Sequence, residues 1–157
     1  MFPKFFAVFL ISMLPIVELR GAIPFALGWG LPALPSICVC VLGNILPVPF
    51  VYFFSRSILV WGAKRRYIGK FCSFMLDKGE KAGRKLSAKA GRGGLALALA
   101  LFVGIPLPGT GAWTGTMGAS FLNMGPKTTV VSVCAGVVLA GIIMVAVSLL
   151  GLHIFGL

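Results

Sequence analysis

Apolar residues run in long blocks along this chain, and prolines and glycines interrupt some blocks and spare others. The first block reaches from Phe2 to about Leu31 and is broken at Pro15, Glu18, Arg20, Gly21 and Pro24. The second, from Leu34 to Val60, contains Asn44, Pro47 and Pro49. A basic stretch from Lys64 to Arg92 follows. Within it Phe71, Met75, Ala82 and Leu86 recur at near-helical spacing, which predicts an amphipathic helix on a membrane surface. Gly79 and Gly83 weaken that helix. The fourth block, Leu95 to Leu122, is interrupted from Gly104 to Gly111, whereas the fifth, Thr128 to Leu152, is unbroken. Gly136 and Gly141 mark places where the fifth can pack closely on a neighbour.

The second and fifth blocks are long enough to cross a bilayer as helices, the second with a kink at its prolines. The first and fourth are different. Each leaves arms of about 10 to 15 residues, or ~15 to 22 Å of helix. A hydrocarbon core of about 30 Å needs roughly 20 residues, so no arm crosses alone. A hairpin that enters and leaves on one face fits better than a kinked span, provided protein or a water-filled cavity shields its tip. The expected fold is therefore an all-α integral membrane protein of one domain. Two opposed re-entrant helical hairpins (1–33 and 94–124) alternate with two spanning helices (34–62 and 127–154). A basic amphipathic segment (63–93) joins the halves. The order of hairpin and span repeats with opposite orientation, an inverted repeat of the kind found in secondary transporters.

Composition agrees. Hydrophobic residues make up 59% of the 157 and charged ones 11%, against roughly 25% in a soluble domain. Mean hydropathy is +1.04. These values exclude an ordinary soluble enzyme domain and a disordered chain. The formal net charge of +11 is concentrated: ten of the 14 Lys and Arg lie between Lys64 and Arg92, with Asp77 and Glu80 the acids among them. Beside apolar blocks, that is a cytoplasmic loop of a multi-pass protein of the cell's inner (plasma) membrane, attracted to anionic headgroups rather than nucleic acid. Lys127, after the fourth block, obeys the same rule. Arg56 near the end of the second block is expected to snorkel. Cys38, Cys40, Cys72 and Cys134 form no C-x-x-C pair and read as small apolar filler. The N-terminal block lacks a small-residue cleavage site and reads as retained.

Charge inside an apolar block marks the candidate chemistry. Glu18 and Arg20 lie in the first block, where a charge costs several kcal/mol unless paired or hydrated. Glu18 is a candidate proton carrier or cation ligand. Arg20 is either its counter-ion, tying the hairpin tip, or an anchor for phosphate or carboxylate. The second candidate is the interruption of the fourth block. Pro106 and Pro108 deny backbone donors, Gly109 and its neighbours permit a tight turn, and a helix resuming near Ala112 turns free N–H groups inward. Thr110, Thr114 and Thr116 add hydroxyls, and Trp113 an aromatic face. Asn44 completes the candidate set, although a kink alone accounts for its neighbourhood. His153 reads as interfacial. No H-E-x-x-H, G-x-S-x-G or phosphate-binding loop is present, so an enzyme is not expected. No cofactor or metal site is expected either.

Three ordered motifs carry a resemblance. Leu14-Pro15-Ile16-Val17-Glu18-Leu19-Arg20-Gly21-Ala22-Ile23-Pro24, Leu42-Gly43-Asn44-Ile45-Leu46-Pro47-Val48-Pro49-Phe50 and Phe102 to Gly115 resemble the small multidrug export protein family of bacteria and archaea. The likeness implies efflux of drug-like compounds. The chain is also distantly similar to the DedA/VTT superfamily, whose opposed re-entrant hairpins serve flippases of polyprenyl phosphate lipids and lipid scramblases. That likeness implies an acid in the first hairpin, matched by Glu18, and arginines in the second, which has none here; Arg20 in the first hairpin is the nearest substitute. The expectation is a small secondary transporter exporting amphipathic compounds, coupled to protons or Na+. The alternatives are a carrier of an anionic phosphate lipid and a non-transporting membrane scaffold. A chain this short buries little interior, so a homodimer is expected.

Overall fold

The computed structural model describes residues 2–65, 68–107 and 109–155. These form seven helices and no strand: α1 (Phe2–Met13), α2 (Glu18–Gly28), α3 (Ala33–Ile45), α4 (Val48–Ala63), α5 (Gly69–Gly104), α6 (Ala112–Phe121) and α7 (Pro126–Phe155). Three stretches are long and apolar enough to cross a membrane: Ala33–Ala63, Gly69–Gly104 and Pro126–Gly151. The chain is a membrane protein, and its exterior shows it. Phe2, Ile16, Phe50, Phe54 and Val131 all lie exposed on the surface, as they would facing lipid.

The helices stop where local chemistry stops them. α1 ends before Pro15, whose ring disfavours helical backbone at Leu14. The chain then turns within four residues. Glu18, the first residue of α2, has φ +50°, a left-handed conformation that an L-residue adopts at a cost of roughly 1–2 kcal/mol. The break is narrower than the expected one, because Pro24 lies inside α2 rather than ending it. α1 and α2 fold back on one another, so that Lys4 Nζ donates to the Trp29 carbonyl at 3.1 Å, across 25 residues. The second block kinks at Leu46 and Pro47, between α3 and α4.

The basic stretch departs from expectation. α5 runs through Gly79 and Gly83 and breaks instead at Gly91 (φ +68°, ψ 172°), where the missing Cβ makes the turn affordable. Gly79 and Gly83 sit on the helix's inner face. A Cβ on either would strike the Phe121 or Leu122 carbonyl, so glycine lets this arm (69–90) press against the end of α6. Tertiary contact outweighs the helix propensity lost. Beyond Gly91 the arm (92–104) is its most apolar part, about 13 residues or ~20 Å of helix. α6 returns alongside it, with Gly115 against Val103 and Leu99.

α7 is the central post. Its Gly136 lies against the Ala100 carbonyl and Val103 of α5, and its Gly141 against Leu19 of α2 and Val41 of α3. Both close-packing glycines are thus used. The core gathers where these helices meet, around Val8, Leu19, Ile23, Val103, Val133 and Val137. At the basic end the Tyr52 hydroxyl donates to the Met124 carbonyl, and Ser120 Oγ donates to the Tyr52 carbonyl at 2.9 Å. Arg56 does not simply snorkel. It donates to Asn123 Oδ1 and lies 3.5 Å from Glu80, which also faces Arg84 at 3.8 Å.

Candidate functional site

The two interruptions meet. The tip between α1 and α2 (14–17) faces the tip between α5 and α6 (105–111), and a cavity of about 330 Å³ lies between them. Pro15, Val17, Glu18, Arg20, Thr110 and Thr114 are among its walls.

Each break leaves helix ends with unpaired backbone groups. α5 ends because Ile105 precedes Pro106 and is extended (ψ 119°). Its last carbonyls then have no helical donor. Arg20 supplies the donors: Nη2 reaches the Val103 and Ile105 carbonyls, each at 3.2 Å, and Thr110 Oγ1 at 2.8 Å. Nη1 donates to the Leu107 carbonyl. Thr110 passes the chain of bonds on, its hydroxyl lying 2.9 Å from both the Ile105 and the Leu107 carbonyl. A cation at a helix C-terminus also matches the negative end of the helix dipole.

Glu18 does the reverse at the start of α6. Glu18 is 6% exposed, and its Oε1 accepts the Trp113 backbone N–H at 3.2 Å. An anion thus sits at the positive end of α6. Gly111 makes room for it. A Cβ there would strike the carboxylate oxygens, and the backbone (φ +154°) already suits glycine. Trp113 is fixed at both ends, because its indole N–H donates to the Met13 carbonyl at the end of α1, 3.2 Å away.

Among the described residues Glu18 and Arg20 form no ion pair with each other; each reaches across to the opposite tip. The expected tie within one tip is therefore replaced by a tie between tips. The other candidates divide. Gly109 (φ +82°) turns the second tip at the cavity wall, and Thr114 lines the cavity while its hydroxyl lies 3.4 Å from the Gly111 carbonyl. Pro106 ends α5 without bordering the cavity. Pro108 lies outside the described residues. Thr116 is buried and bonds back to the Ala112 carbonyl in its own helix, so its hydroxyl is spent away from the cavity. Asn44 is buried, its Oδ1 has no hydrogen-bond partner among the described residues, and it does not border the cavity. The sequence reading missed Gly111 as a contact and Met13 as an acceptor. The Gly-Thr-Gly run was a signal for the first; a backbone carbonyl leaves none.

Residues 18–143, four-fifths of the chain, match the family described as "Putative small multi-drug export protein". The chain belongs to that family. No curated protein and no solved structure matches it. The matched region begins at Glu18 and takes in Arg20, the second tip and most of α7, so both charged residues lie inside the small multi-drug export segment, while the first tip and Met13 lie just before it. The family description is that of an export protein, not of an enzyme.

Proposed function

We propose that this chain is a proton-coupled exporter of small amphipathic compounds, built from two opposed re-entrant hairpins. One observation carries the reading. The acid inside the membrane region, Glu18, ties the start of α6 to the first tip, through the Trp113 N–H, at the wall of a cavity. When ionised it makes a charge-assisted bond to the start of α6; when protonated it loses that charge and much of the bond. Proton binding then loosens α6 from the first tip, leaving the Trp113 indole bond to Met13 to give way as the cavity opens, while substrate that pairs with the carboxylate competes with the proton. Such a switch needs an element with two states, and a short helix whose start is held to the first tip by Glu18 and by the Trp113 indole on Met13 suits that role.

The contacts favour an inverted repeat. α1 packs on α2 and α3 as α5 packs on α6 and α7, and α2 packs on α7 as α6 packs on α4. Arg56, the basic arm and Lys127 gather at one end, which the positive-inside rule makes cytoplasmic in the inner membrane. A homodimer would shield the hairpins from lipid.

The test is transport by purified protein in liposomes with an imposed pH gradient, reading accumulation of tetraphenylphosphonium. Wild type should concentrate the cation and lose the ability when the gradient is collapsed. Glu18→Gln keeps an acceptor for Trp113 but no titratable proton, and should fold yet lose at least ten-fold in gradient-driven transport. Undiminished accumulation by Glu18→Gln, or accumulation driven by a Na+ gradient alone, would overturn proton coupling. A second reading has its own support. Arg20 and the start of α6 border the same cavity, and both suit a phosphate. Movement of a polyprenyl phosphate but not the cation would favour a lipid carrier of the DedA type. Movement of neither would leave the scaffold reading.

A further inference from the structure

Trp113 stands between two spaces of opposite character. Its backbone N–H faces Glu18 in the cavity, while its side chain lies at the head of a larger groove between α4 and α6. The groove encloses about 1150 Å³ and runs from Leu46, at the kink, along α4 to Leu59, ~20 Å of chain. Among the described residues no charged one lines it, and Ser55, Ser57 and the Trp113 indole are its polar side chains. Its deep end, at Met13 and Leu46, adjoins the tips. Its shallow end, at Leu59 and Phe121, adjoins the basic arm, since Phe121 lies against Gly79. Half of a hydrocarbon core of about 30 Å is ~15 Å, so the groove is long enough to span a single leaflet, the one on the basic side, and reach past its midplane edge.

We propose that this groove receives the apolar chain of a single-chain amphipathic cation from the leaflet on the basic side and delivers its head past Trp113 to Glu18. The proposal rests on the exporter reading above and names its substrate class and route. An apolar chain gains little by leaving lipid for an equally apolar groove, so the head must supply the selectivity. Glu18 is the acid at the deep end; Asp77 is spent on Lys81 at 2.7 Å and Glu80 on Arg56, both in the basic arm. The Arg20 guanidinium is turned onto the α5 carbonyls, which leaves the carboxylate to a cationic head. The Trp113 ring offers that head a cation–π surface on its way. Because the indole is pinned to the Met13 carbonyl, it swings aside only when the first tip moves, which ties access to the state of Glu18.

Trp29 and Trp61 are exposed, so Trp29→Phe with Trp61→Phe leaves Trp113 as the one tryptophan. In nanodiscs, a dodecyltrimethylammonium with a brominated chain should quench Trp113 saturably. Ser57→Phe, which fills the groove from an exposed position, should weaken the apparent affinity at least ten-fold, as should Met117→Phe on the opposite wall. Linear quenching that both variants leave unchanged is simple partitioning and overturns the groove. Saturable quenching by brominated dodecyl phosphate alone overturns the cationic head. Tetraphenylphosphonium transport by the same variants separates the two claims. Glu18-dependent transport with no groove effect sinks the route and spares the exporter, whereas loss of both binding and transport in wild type sinks both.

Discussion

The two tips are made from the same kinds of residue and are put to opposite use. The first, at 14–17, contributes side-chain charge: Glu18 and Arg20 follow it within three residues. The second, at 105–111, contributes backbone ends: carbonyls from α5 and an N–H from α6. A buried charge and a frayed helix end are each costly in an apolar medium. Set against one another, each removes the other's penalty, and the signs agree with the helix dipoles at both junctions. The comparison teaches that the charges of one hairpin are the caps of the other. Neither hairpin is complete alone.

The strongest way to break this arrangement is Arg20→Ala. It removes the guanidinium from the Val103, Ile105 and Leu107 carbonyls and from Thr110 together; Ile105 and Leu107 keep Thr110 and backbone N–H groups as donors, whereas Val103 loses its cap. At about 1–3 kcal/mol for an unsatisfied group, with the other charge-assisted bonds lost beside it, we expect a loss of about 2–3 kcal/mol. Thermal melts in detergent should show it as a large fall in melting temperature. Arg20→Lys should recover only part, since an ammonium lacks the planar fork that serves several carbonyls at once. Equal stability of Arg20→Ala and wild type would mean that the α5 end is capped by other means.

Much of this was legible in sequence, and the illegible part has a pattern. A charge in an apolar block is visible one residue at a time, because its cost does not depend on where it points; hence Glu18 and Arg20 stand out. Pro106 announces the end of α5 for the same local reason. The partners are another matter. Arg20 meets Val103 across 83 residues, and Arg56 meets Asn123 across 67, contacts that no local rule contains. Glu18 at φ +50° is a non-glycine in a glycine conformation, which sequence pattern argues against. Gly79 and Gly83 misled in the opposite sense. Propensity marks them as weak points, whereas they are contact points, and the true break is at Gly91.

A gentler probe isolates the anionic half of the comparison. Gly111→Ala leaves both charges in place and puts a methyl group where the Glu18 carboxylate rests. The carboxylate must withdraw from the Trp113 N–H, and the backbone must leave φ +154°. Loss of one charge-assisted bond with added strain should cost about 2–3 kcal/mol. The same substitution should uncouple transport from the pH gradient while Arg20 still caps α5. If Gly111→Ala melts as wild type and transports normally, the contact between Glu18 and the start of α6 carries no weight.

The smallest effect tests the two hairpins at their outer ends, where they also differ. The first is closed there by Lys4 and the Trp29 carbonyl, the second by the whole basic arm pressed on Phe121 and Leu122. Gly83→Ala should push that arm away, because the added Cβ would run into the Leu122 carbonyl. In an isolated peptide of residues 69–90 the same change should raise helix content, by about 1 kcal/mol in alanine's favour. The opposite signs are the test: more helix in the peptide by circular dichroism, and a net loss of about 1 kcal/mol in the full protein by thermal melting. A gain in both would show that the arm's helix matters and its contact with α6 does not. The brace would then be a property of the bilayer surface rather than of the fold, and the second hairpin would be no better supported than the first.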